Sequence, residues 1–262
     1  MMNSEQRPPL KVIRAFAQPD GGTLVHLHNI SGGVLGGDQL QIEVDVGPHA
    51  SVQLTSTSAT RLYRSRPGIP AAQQWTKAHV QTGGLLEYLP DPLIPFAGAR
   101  YHQHTEIFLE DDAGLCWWET LAPGRVASGE CFAYEQIRMG VEIKTASRPL
   151  LRESFSLEPQ RRAPTAATAL AGYHYMGNFY LCRVGKPAPY WLQLEKELSQ
   201  LALQLSHPGE CIWGVSTLAA HGLVIRALSQ QGRDIAAGLF SFWKLARPAL
   251  FQKEAIAPRK IL

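Results

Sequence analysis

The clearest signal in the chain is an alternation of apolar and polar positions with a period of two. Leu40, Ile42, Val44 and Val46 fall on one side of residues 39–46, and Gln39, Gln41, Glu43 and Asp45 on the other, the spacing of a strand with one buried face. Ile137, Met139, Val141 and Ile143 alternate with Arg138, Glu142 and Lys144 in the same way. Turn residues at Asp20-Gly21-Gly22, Gly47-Pro48, Gly83-Gly84 and Asp111-Asp112-Ala113-Gly114 punctuate residues 12–157 at the intervals of a sandwich or barrel. No helical period competes there, so this part is predicted to be strand-rich.

The pattern changes at residues 158–171, EPQRRAPTAATALA, whose Ala, Thr, Pro and Arg content reads as a connector. Residues 172–262 mix strands with helices. Strands are predicted over 173–182, 211–217 and 223–228. Pro189 is placed to open a helix, with Trp191, Leu194, Leu198, Leu201 and Leu205 at helical spacing and Pro208-Gly209 beyond its end. A second helix is predicted over 233–246, with Ile235, Leu239, Phe242 and Leu245 as its stripe and Pro248 as its stop. Gly238 inside it costs about 1 kcal/mol relative to alanine and points to close packing. Phe240, Phe242, Trp243, Leu250 and Phe251 exceed what one stripe needs, which predicts an exposed partner-binding surface. The expectation is one mainly-β domain over 1–262, sandwich-like or of stacked sheets, with two α-helices in its C-terminal half.

Composition narrows the function more than the fold. A net charge of +3 over 262 residues gives no signal for nucleic acid or an acidic membrane. Cys116, Cys131, Cys182 and Cys211 lie far apart, without a zinc-type pair. No run of 18 apolar residues occurs and the N-terminal MMNSEQRPPLKV has no signal-peptide core, so a cytoplasmic protein with reduced thiols is expected.

Candidate chemistry is dispersed. The glycine pairs Gly32-Gly33 and Gly36-Gly37 precede a strand, with neither dinucleotide nor P-loop spacing, and read as sites of positive φ or close backbone approach. Asp38, which follows them, is a candidate site residue. His26 with His28, and His102 with His104, place two imidazoles on one strand face and are weak metal-ligand candidates, since a pair supplies only two ligands. Glu87, Glu119 and Glu153 stand among apolar residues, and from composition alone they are expected to face solvent. Ser128 lacks a nucleophile elbow. A hydrolase of glycosidase type using paired carboxylates is the alternative that this pattern leaves open.

Six segments, in order, carry a resemblance: SGGVLGGDQL, SATRLYRS, LLEYLPDPLIPFAGAR, LCWWETLAPGRVASGE, PLLRESFSL and the tail FWKLARPAL…APRKIL. They span nearly the whole chain, which is similar to the UreD (or UreH) family of urease accessory proteins. The resemblance implies a non-enzymatic scaffold that binds apo-urease and, with UreF and through it the GTPase UreG, conducts Ni2+ to the urease active site. It implies a mainly-β fold with two helices, no stably bound cofactor, transient Ni2+, and neither nucleic acid nor membrane as partner. An internal tunnel is implied, with Asp38, Thr60, Glu119 and Glu153 as its candidates. Thr60 falls where some members carry Ser, and Glu119 where some carry Asp. Oxygen donors suit transit, because carboxylate and hydroxyl sites hold a divalent transition metal less tightly than imidazole or thiolate does.

Overall fold

Parallel neighbours in a sheet need a crossover connection, which in most proteins is a helix. Here the crossover is a strand of a second sheet. The protein, described over residues 4–258 by a computed structural model, is built from two stacked sheets and two helices. The first sheet runs in the order β1 (Leu10–Ala17), β2 (Thr23–Asn29), β4 (Ser51–Ser56), β7 (Leu85–Tyr88), β10 (Gly114–Leu121), β13 (Tyr175–Arg183), β15 (Gly222–Ser229) and β14 (Cys211–Thr217). Two short strands, β5 (Thr60–Leu62) and β8 (Leu93–Pro95), pair beside β10. The second sheet runs β12 (Pro149–Leu157), β11 (Gln136–Lys144), β9 (Arg100–Leu109), β6 (Ala72–Val80) and β3 (Gln39–Val46).

Through β10 the chain winds between the sheets. As a result β2, β4, β7 and β10 are mutually parallel, and so are β3, β6, β9 and β11. Antiparallel pairs then finish each sheet. The strand residues bear out the alternation: Leu40, Ile42 and Val46 are buried, with Gln39, Gln41 and Glu43 exposed.

Every residue of β10 is buried, because both of its faces are covered. Leu115, Trp117 and Leu121 point between the sheets, while Cys116 and Trp118 point to the helices. This is why the segment reads as a near-continuous apolar run rather than an alternation. The space between the sheets holds two apolar clusters, one around Leu109, Trp117 and Ile143 and the other around Leu40, Tyr101 and Ile137. A third cluster lies on the outer face of the first sheet, beneath α1 (Ala188–Leu205) and α2 (Gly232–Phe251).

Both helices occur where the stripe placed them, but α2 extends through Pro248 to Phe251. Proline removes one hydrogen bond, to the carbonyl four residues earlier. That carbonyl belongs to exposed Lys244, so water can serve it. Burial of Arg247 and Leu250 holds the last turn in place. The expected close packing at Gly238 is present: a Cβ there would stand 2.0 Å from Trp213 Cζ2. Residues 158–171 form turns rather than a strand or helix, with Leu170 buried against the second inter-sheet cluster.

The aromatic C-terminal segment is corrected by the fold. Phe242, Trp243 and Leu250 are buried, and Phe240 and Phe251 pack against the same cluster. The apolar positions beyond one stripe are used within this chain, because α2 meets β10, β13 and β15 on one side and α1 on another. The last four positions of the APRKIL tail lie outside the described residues.

Candidate functional site

Between the two apolar clusters the inner faces of both sheets turn polar. On β9 the inward series Tyr101, Gln103, Thr105, Ile107 carries Gln103 and Thr105 at its middle. On β10 the inward series Leu115, Trp117, Glu119, Leu121 carries a carboxylate. Glu119 is only 7% exposed; its Oε1 accepts hydrogen bonds from Gln103 Nε2 at 2.6 Å and Trp117 Nε1 at 3.2 Å. Burial removes water from the charged form, and nearby Glu153 disfavours it further, so the carboxyl is pushed up to about 7 against the two hydrogen bonds that oppose the shift. The expectation that Glu119 faces solvent is therefore overturned.

Glu119 opens into a cavity of about 280 Å³ between the sheets, which is also lined by Thr60, Arg61, Gln74, Asp91 and Gln103. A second cavity, of about 560 Å³, lies between β12, the 158–171 connector and strands β13 to β15. Its lining includes Glu153, Phe155, Asn178, Trp213 and Arg226. The register connects the two. Glu119 is paired with Asn178 across β10 and β13, and Asn178 with Arg226 across β13 and β15. Residues directly opposite share a face, so Glu119, Asn178 and Arg226 form one inward row from the first cavity to the second. At its end Arg226 Nη2 meets Glu153 Oε2 at 2.6 Å.

Of the four sequence candidates, Thr60 and Glu119 thus share one cavity and Glu153 lies on the next. Asp38 lines neither. Its Oδ2 accepts the backbone N–H of Leu35 at 2.9 Å and closes the turn that contains Gly36-Gly37. Each pair combines two causes. Gly32 and Gly37 have φ of 79° and 86°, whereas a Cβ on Gly33 would stand 2.4 Å from the Tyr63 ring and one on Gly36 2.9 Å from Ser65 Oγ.

The histidines do not converge. His26 is buried against Phe16. His28 lines the first cavity, with Nδ1 2.7 Å from Thr57 Oγ1. His102 and His104 sit on the outer face of the second sheet, with Nε2 of each on Gln136 Oε1 and Glu106 Oε1 respectively. Among the described residues no group of three or more His, Cys, Asp or Glu is placed to hold a metal ion. The four cysteines are free thiols.

Glu87, expected at the surface, is fully buried on β7. Its Oε1 accepts from Trp243 Nε1 at 2.7 Å, and its two oxygens accept from Arg247 Nε at 3.1 and 3.0 Å. Arg247, itself buried, also reaches Asp20 Oδ2 at 2.7 Å and the Glu254 carbonyl. The cluster joins β7, α2, the β1–β2 turn and the segment after α2, and it lines neither cavity.

Sequence reasoning missed Gln103, Asn178 and Arg226. The signal for Gln103 was its position: it breaks the apolar series of Tyr101 and Ile107, whereas its neighbours His102 and His104 belong to the other face. Asn178 and Arg226 could be placed only by cross-strand register. Glu119 and Glu153 open into different cavities, whereas paired-carboxylate hydrolysis needs both groups on one bound sugar.

The profile of the family described as UreD urease accessory protein matches residues 1–261. A urease accessory protein UreD from Herpetosiphon aurantiacus is 48% identical over 98% of this chain and 89% of its own length. UreD from Pseudomonas aeruginosa is 34% identical over 87% of this chain and 76% of its own. UreD from Bacillus sp. (strain TB-90) is 28% identical over 96% of this chain and 89% of its own.

Proposed function

Since the chain belongs to the UreD family of urease accessory proteins and so has a role in urease maturation, we propose that it acts without turnover of its own, as a scaffold that passes Ni2+ between its sheets. The partners in this reading are apo-urease, UreF and, through UreF, UreG. The observation that carries it is the row Glu119–Asn178–Arg226, buried at Glu119 and Asn178 and exposed at Arg226, which runs between two cavities.

The chemistry favours transit over storage. Glu119, Asp91, Thr60, Gln74 and Gln103 offer oxygen donors in the first cavity, and such donors exchange a divalent cation faster than imidazole or thiolate. Burial holds the Glu119 carboxyl at about 7, so an arriving cation displaces a proton rather than meeting a fixed full charge. Asn178 adds a neutral oxygen at the passage. Arg226 occupies Glu153 at the far end, so a cation reaching the second cavity competes with a guanidinium for that carboxylate, which keeps the last site weak. Among the described residues no helix is long and apolar enough to cross a membrane.

The test is Glu119→Ala and Asn178→Ala in a strain that assembles urease. The complex with UreF and urease forms as in the wild type, and the isolated urease carries several-fold less nickel by mass spectrometry. Complete metallation by both variants in an intact complex would remove the conduit.

A further inference from the structure

The first cavity meets solvent at Ile30, Gly32 and Arg61, which are exposed, while Val34, Leu40 and Glu119, which also line it, are buried. Two loops frame that opening. Residues 30–38 lie against residues 61–69 through Val34 N–H to the Arg61 carbonyl and Tyr63 N–H to the Val34 carbonyl, both at 2.8 Å. Farther along, Gly36 abuts Ser65, and Gly37 abuts Ile69. Because side chains are missing at the four glycines, the loops lie flush and form one surface.

That surface is unusual in two independent ways. Ile30, Leu35 and Ile69 are 51%, 52% and 40% exposed, three aliphatic side chains on adjoining loops. Arg61, Arg64 and Arg66 are exposed as well, and among the described residues none of their guanidinium groups has a carboxylate partner. The loops carry a single carboxylate, Asp38, which the Leu35 N–H occupies.

We propose that residues 30–38 and 61–69 dock a protein partner whose contacting face is rich in carboxylates around an apolar centre, seated over the open end of the first cavity. Cationic groups depleted of counter-charge and surrounding apolar side chains are complementary to such a face. The cavity adds a second reason, which rests on the conducting role proposed above. The Arg61 guanidinium at the opening repels a bare divalent cation, so entry improves once carboxylates of the partner neutralise it. Docking and loading are thereby coupled. An anionic membrane fits less well: the loops are held flush by backbone hydrogen bonds, and no aromatic side chain is exposed between them for insertion.

The experiment uses purified full-length chain with Arg64→Glu/Arg66→Glu and with the charge-retaining Arg64→Lys/Arg66→Lys, against immobilised UreF and immobilised apo-urease as separate probes. Neither arginine lines the cavity. Circular dichroism and thermal midpoints matching the wild type establish that each variant is folded. The expected result is that one probe retains the wild type, that the glutamate variant binds it at least about tenfold more weakly and the lysine variant within about threefold, and that wild-type binding falls as salt rises. Equal binding of wild type and glutamate variant to both probes overturns the docking surface and leaves the conducting role standing. Failure of both probes to bind the wild type overturns the docking surface and the assembly role together. Retention of the wild type on phosphatidylserine vesicles but on neither probe overturns the protein partner in favour of lipid.

Discussion

A carboxylate facing the interior of a sheet stack is expensive in its charged form, and Glu119 shows how the cost is moderated. Gln103 and Trp117 supply two donors to one oxygen, yet burial outweighs them and the carboxyl rises from the ordinary 4.5 to about 7. The folded state therefore binds this proton more tightly than the unfolded chain does. Its contribution to stability is fully present below pH 4.5 and is lost as pH rises through 7. At about 1.4 kcal/mol per unit, the loss amounts to roughly 3 kcal/mol. Glu119→Gln keeps an acceptor for both donors and does not titrate, so urea unfolding should show the variant gaining on the wild type by up to about 3 kcal/mol between pH 5 and pH 8. Parallel stability profiles over that range would mean that Glu119 is hydrated rather than dry. For the proposed conduit the same titration sets a direction in pH: below 7 the carboxyl is neutral and a cation must first displace its proton.

Elements in this protein meet at shorter distances than ordinary side chains allow, and glycine sets those approaches. Gly33 lets the loop that precedes β3 lie on β5 and the Tyr63 ring; Gly238 lets α2 settle on Trp213 of β14. A methyl group at Gly33 meets the Arg61 carbonyl at 2.7 Å as well as Tyr63, so it cannot be relieved by turning one side chain. Gly33→Ala is expected to lower stability by about 1–3 kcal/mol, the range for overpacking, and Tyr63→Ala in addition should restore only part of it, because the backbone contact remains. Thermal unfolding of the single and double variants checks this; full restoration would assign the whole clash to the ring. For α2 the balance runs the other way. One hydrogen bond lost at Pro248 is outweighed by burial of Arg247 and Leu250, and the helix continues for three residues.

At the scale of the molecule, a winding chain leaves its ends far from the centre, and the Glu87–Arg247 cluster ties them to it. Arg247 reaches Glu87 in the first sheet, Asp20 in the first hairpin turn and the Glu254 carbonyl after α2, while Lys253 lies 3.6 Å from Asp20. Gln53 Nε2 adds a bond to the Ile256 carbonyl at 3.3 Å. Removing one charge of a buried pair strands the other, at about 3–5 kcal/mol. Arg247→Met alone should cost that much, whereas Glu87→Gln with Arg247→Met should cost clearly less than the sum of the two single changes. Additive losses in chemical denaturation would show that the two groups do not depend on one another. The cluster lines neither cavity, so under the proposed conducting role variants that fold should leave the nickel content of urease unchanged.

Local pattern carried the elements. Period-two alternation marked β3 and β11, the helical stripes marked α1 and α2, and the turn residues marked most of the boundaries, because each depends on neighbours a few residues apart. The family resemblance was legible for the same reason, in short contiguous segments. What local pattern could not settle was which residues meet. Whether Glu87 and Glu119 face water or protein depends on a second sheet and a helix whose residues are as many as 160 positions away. Parallel pairing among β2, β4, β7 and β10 has no signature inside any one strand, since the crossover is another strand. The C-terminal aromatics looked surplus because a single stripe assumes one packing face, and α2 has two. The row Glu119–Asn178–Arg226 exists only through cross-strand register, which the tertiary fold decides: a shift of one residue would turn each of those side chains to the opposite face.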